Sequence, residues 1–220
     1  MPPLVSCQNS VGANRVTSKA SFLLRPLFGF FVKRAGHILP LAFALAACQL
    51  SLPGSGPTTI ALFDGSLTVA APSGYCIDPQ TATQTGESAV VLIGRCRATS
   101  KATAALVTVT VGVPGSAAVM AAGGETLAAF FTSADGRATL SRSGNPSDVT
   151  VNRAVMAGED FLMLLSDQTV GTYWRAITGM RGRVLTVSAG GTVEVPLTPE
   201  ASREILDATL AALHAANLAS

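Results

Sequence analysis

The chain has 220 residues, 48% of them hydrophobic, 5% aromatic and 13% charged, and this excludes a disordered or fibrous polypeptide. The length suits one domain plus a targeting segment. A formal net charge of +2 hides an asymmetry: residues 1–47 hold Arg15, Lys19, Arg25, Lys33 and Arg34 with no acid, and the remainder carries 10 bases against 13 acids. The remainder is thus net negative and has no basic stripe, which argues against a nucleic-acid partner.

The leader is legible first. Val32-Lys33-Arg34 supplies a positive start, residues 38–47 form an uncharged apolar run, and Leu45-Ala46-Ala47 places small residues before Cys48. Ten residues rise only about 15 Å as a helix, half of what a hydrocarbon core of roughly 30 Å requires. The run therefore reads as a signal h-region and not as a spanning helix. Leu45-Ala46-Ala47-Cys48 resembles the lipobox of bacterial lipoproteins. That resemblance implies a diacylglyceryl thioether on Cys48, cleavage just before it, and acylation of the new amino terminus. Gln49 in place of aspartate then favours the outer membrane, on its periplasmic face.

Residues 1–31 are a poor fit to such a leader. Either the start codon is assigned too early and the true start lies near Val32, or the n-region is long; the first is preferred, and Cys7 then has no role. Residues 48–57, rich in Gly, Pro and Ser, read as a flexible tether between lipid and domain. A single α+β domain is expected over 58–220.

Within it, the runs 59–63 and 66–70 flank Asp64-Gly65, the pair that a two-residue type I′ turn requires, with Leu62 opposite Leu67 and Ile60 opposite Val69. Residues 89–95 have strand length. Residues 105–111 alternate valine with threonine, the pattern of a strand with one buried face. A short helix is expected over 125–131. Runs 149–156 and 161–166 form a second hairpin around Gly158-Glu159-Asp160, and runs 173–180 and 183–189 a third around Arg181-Gly182. In the third, Trp174 and Ala176 share the core face with Leu185 and Val187, while Tyr173, Arg175, Thr186 and Ser188 point outward. Thr198-Pro199-Glu200 opens a C-terminal helix that runs to about Ala216.

The fold class expected is α+β, an antiparallel sheet of hairpins packed against one short and one long C-terminal helix. The order strand, tight turn, strand, loop, helix over 173–217 resembles the end of PsbP-like domains, which occur in small bacterial lipoproteins and photosynthetic lumenal proteins. The likeness spans about a fifth of the chain, carries no site residue, and bears on the fold alone; the chain departs from it by a cysteine pair.

That pair is Cys76 and Cys96, each at a strand end. An oxidising periplasm would join them as a disulfide; the bland reading is two unpaired small core residues. A metal site is the poorer reading, because the domain has the single histidine His214, and such a residue near a helix end is usually a cap or solvated. No GxSxG, HExxH, P-loop or SxxK pattern occurs after Cys48. Glu159-Asp160 reads as a solvated turn pair. Arg142, in a Ser-rich loop, reads as an anion binder or simply as a solvated arginine. No catalytic residue and no cofactor is assigned.

Three functions compete. The first is a non-enzymatic, membrane-anchored periplasmic lipoprotein acting through protein contacts as an envelope-associated binding, assembly or accessory factor. The second is a module with an apolar pocket for a small molecule or lipid. The third is an enzyme with an unrecognised site.

Overall fold

The computed structural model describes residues 56–192 and 194–218. The chain divides into two compact units, Met1–Cys48 and Gln49–Ser220, and every described residue belongs to the second. The expected leader, Cys7, Cys48 and all but the last two tether residues lie outside the described residues. Pro57, at the end of that tether, already accepts a hydrogen bond from the Ile77 amide at 2.8 Å.

The first hairpin, β1 (Thr59–Leu62) with β2 (Leu67–Ala70), has the expected register, Leu62 against Leu67 and Ile60 against Val69. Asp64 and Gly65 adopt φ of 56° and 87°, and the Ser66 amide bonds the Phe63 carbonyl at 3.1 Å, so the turn is the type I′ turn that Asp-Gly favours. Phe63 is also left-handed, at φ 52°. Its ring lies 3.9 Å beneath the guanidinium of Arg183, a buried arginine that also donates to the Gly112 carbonyl. The contact ties the hairpin to the main sheet.

That sheet contains β3 (Tyr75–Ile77), β4 (Thr83–Thr85), β5 (Ser88–Arg95), β6 (Leu106–Val111), β7 (Val149–Ala157), β8 (Asp160–Asp167), β9 (Gly171–Met180) and β10 (Arg183–Gly190). It is antiparallel throughout, in the order β3-β5-β6-β10-β9-β8-β7, with β4 also pairing β5. Arg181 and Gly182, both at positive φ, close β9–β10 as a two-residue turn. Among the described residues three α-helices complete the α+β fold: α1 (Gly123–Thr132), α2 (Ala134–Leu140) and α3 (Pro199–Asn217).

Strand alternation sends Val107, Val109, Val111, Trp174, Ala176, Leu185 and Val187 to one face, where α3 covers them with Ile205, Leu206, Leu210 and Leu213. Ser202 of α3 is fully buried; its Oγ accepts from the Trp174 amide at 2.7 Å and donates to the Ala189 carbonyl at 2.6 Å. It thereby bonds the paired ends of β9 and β10 at once. At the other end of α3, the Asn217 amide both accepts from and donates to the backbone of Thr68, which fixes the β1–β2 hairpin over the same face.

The helices do not share one face, as the expected layering had it. The short helix forms as α1, but α1 and α2 lie on the opposite side, where Leu127 and Leu140 pack on Phe161, Met163, Leu165, Tyr173 and Ile177. The sheet is therefore covered on both faces. Among the described residues no single helix is long and apolar enough to cross a membrane.

Candidate functional site

The second cover is incomplete, and this creates the site. Helices α1 and α2 pack over β7–β9 but leave the outward residues of β6 and β10 open. Between them lies a cleft of about 530 Å³, within the range of small-molecule sites, roughly 300–1,000 Å³. Leu127 and Phe131 of α1 and Leu140 of α2 form an apolar wall, and Ile177 and Val184 are the apolar part of the floor. The threonines of the β6 alternation, Thr108 and Thr110, with Thr186 and Ser188 of β10, supply a row of hydroxyls. They were expected on the face away from the valines, and on that face they line this cavity. A segment of 3-10 helix, Ser116–Ala122, carries Val119 into the lining, and Ser116 Oγ accepts from the Val184 amide at 2.9 Å.

Two cations line the cleft. Arg175 donates from Nε to Ser188 Oγ at 2.8 Å and from Nη2 to the Tyr173 hydroxyl at 3.0 Å, and its guanidinium lies 5.6 Å from the Tyr173 ring centre. Arg142, in the loop after α2, lines the same cavity. Among the described residues neither arginine forms an ion pair with a carboxylate. No acid lines the cleft among them. Buried Asp167 acts on Tyr173 from outside the lining, and its Oδ1 is already taken by the Thr169 and Val170 amides at 2.7 and 3.1 Å. Burial pushes the Tyr173 hydroxyl above its ordinary pKa; Arg175 opposes that, Asp167 adds to it, and Arg142 again opposes it.

Tyr173 is thus a correction. It was expected to face outward beside a core Trp174, yet Tyr173 is 5% and Trp174 6% exposed, because each lies under a different cover. Sequence reasoning also missed the cleft as a whole. The available signal was the low charge of residues 112–140, which hold only Glu125, Asp135 and Arg137, as a segment destined to roof apolar surface should.

The remaining candidates fall elsewhere. Cys76 and Cys96 form a disulfide, with Cα atoms 4.8 Å apart, that joins β3 to the residue after β5. His214 is half-buried, and its Nε2 lies 3.1 Å from Asp160 Oδ1, linking α3 to the start of β8. Asp160 is therefore engaged rather than merely solvated. Among the described residues no three metal-ligating side chains gather. The cleft lining pairs no nucleophile with a base: its hydroxyls come from Thr, Ser and Tyr, with no histidine, cysteine or carboxylate beside them. The arrangement can hold a ligand by apolar contact, hydroxyl bonds and positive charge.

No family model matches the chain, and no curated protein matches it significantly. Solved structures similar to it include the Saccharomyces cerevisiae Ran-binding protein Mog1p, at 12% identity over 72% of this chain and 93% of that one, with a TM-score of 0.43. A point mutant of the protein Mog1 is similar at 14% identity over 72% and 89%, with a TM-score of 0.38. At that distance these likenesses say nothing about function.

Proposed function

We propose that the chain is a lipid-anchored envelope protein whose domain binds an apolar small molecule or lipid without turning it over. In this reading Cys48 is the anchor, the domain resides at the periplasmic face of the outer membrane, and residues 49–55 span the gap between them. The observation that supports binding is the cleft between α1–α2 and β6–β10, ligand-sized, acid-free and walled by Leu127, Phe131 and Leu140. It ranks ligand binding ahead of action through protein contacts alone. The test is native mass spectrometry of protein taken from the envelope, beside a Thr108→Trp variant that fills the cleft from β6. An adduct present in wild type and absent from the variant is expected. An adduct retained by the variant, or a wild type with neither adduct nor uptake of 1-N-phenylnaphthylamine, overturns the reading.

A further inference from the structure

Two guanidinium groups that line a largely apolar cavity, both close enough to act on Tyr173, require an account. Arg175 is only partly exposed, and two of its nitrogens are spent on neutral hydroxyls. Its Nη1 has no hydrogen-bond partner among the described residues. Arg142 has no hydrogen bond or ion pair among them. Holding the part-buried Arg175 guanidinium against apolar surface costs desolvation that a carboxylate or phosphate partner would offset, and the lining supplies none; Arg142 is exposed and adds its charge to the same cleft. The planar fork of arginine matches such oxyanions in two-point contact, which a lysine would not do.

The apolar lining comes from Leu127 and Phe131 of α1 and from Ile177 of β9, whose side chains present no polar atom that could recognise a sugar or a base. The cleft therefore combines two guanidinium groups with an apolar lining. An amphiphile with its charge at one terminus carries the same two features.

We infer that the cleft takes a single-chain amphiphile with an anionic head, its oxyanion bound by Arg175 and Arg142 and its chain laid on Leu127, Phe131 and Ile177. The Tyr173 ring and hydroxyl hold Arg175 in place from one side and Ser188 holds it from the other, so the fork is positioned before the ligand arrives. Thr186 and Ser188 add hydroxyls for the remaining oxygen lone pairs. This rests on the binding function proposed above, and it adds the chemical class of the ligand.

The test is calorimetric titration of the full chain in phosphatidylcholine nanodiscs, with empty nanodiscs subtracted. The probes are dodecanoate, dodecyl phosphate and neutral dodecanol, each below its aggregation limit. At least one anion should bind tenfold or more tightly than dodecanol. Whichever anion is tighter says whether a carboxylate or a phosphate head is the better fit, and either result supports the shared chemistry. Arg142→Gln, in an exposed loop, should cut the preference severalfold, and Arg175→Gln should abolish it, while dodecanol affinity stays within twofold in both. Dodecanol binding as tightly as both anions overturns the anionic head and leaves the apolar cleft standing. Loss of dodecanol together with the anions in Arg142→Gln also overturns it. No binding of any probe sinks both proposals.

Discussion

Cys76 and Cys96 show how a single covalent link acts on a small domain. Closing a loop of 20 positions restricts the unfolded chain and is worth on the order of 3 kcal/mol by chain-entropy arithmetic. That is a large share of the roughly 5–15 kcal/mol that holds a domain together. The link also secures the sheet edge, because β3 has only three residues and pairs with β5 alone. Replacing both cysteines with serine should lower the unfolding free energy by about 2–4 kcal/mol, read by urea titration. Alkylation followed by peptide mapping of exported protein should leave Cys76 and Cys96 unmodified until reductant is added; two freely alkylated thiols would refute the bond. The pairing was readable because the expected oxidising compartment and the position of both cysteines at strand ends pointed the same way. The His214–Asp160 contact was not, since it joins residues 54 positions apart and no local pattern announces it.

At the scale of elements, β9 separates two environments along one strand. Trp174 packs toward α3 under the guanidinium of Arg203, 4.9 Å from its ring, while Arg175 reaches into the cleft. Trp174→Ala should cost roughly 3–5 kcal/mol as a large buried ring is lost. Arg175→Ala should cost about 1 kcal/mol for two side-chain bonds. Equal shifts in chemical denaturation would contradict the strand parity. That parity was legible, as were the register of the first hairpin, the presence of two further hairpins and the capped start of α3, because each rests on local alternation or turn chemistry. Helix α2 was not. Its Gly136 reads as a turn residue, yet it is needed there because a Cβ would collide with the Phe130 carbonyl oxygen where α2 meets α1. Nor was the burial of the second face, for threonine, serine and arginine on alternate positions look like a solvated surface until a second cover arrives. Strands β3 and β4, three residues each, are too short to show a period.

For the whole molecule, the proposed leader makes the most direct demand. Lipidation at Cys48 with three acyl chains would anchor the chain stably, since two already suffice at ~0.8 kcal/mol per buried methylene. The protein should partition with membranes, begin at residue 48 by intact mass, and take up a palmitate analogue. Cys48→Ala should abolish labelling and leave either uncleaved precursor or a soluble form cut after Ala42-Phe43-Ala44. A wild type that takes up no lipid, or keeps residues upstream of Cys48, would overturn the anchor. The sheet order adds a consequence in time. Strand β6 finds its inner neighbour only in β10, and Thr68 is held by Asn217, 149 positions later. Loop-closure entropy must be met before such distant contacts form. A chain delivered amino terminus first would therefore keep β6 unpaired along its inner edge until β10, which ends at Gly190, had emerged. The connectivity that closes the cleft would delay completion of the sheet in any chain that emerges in that order.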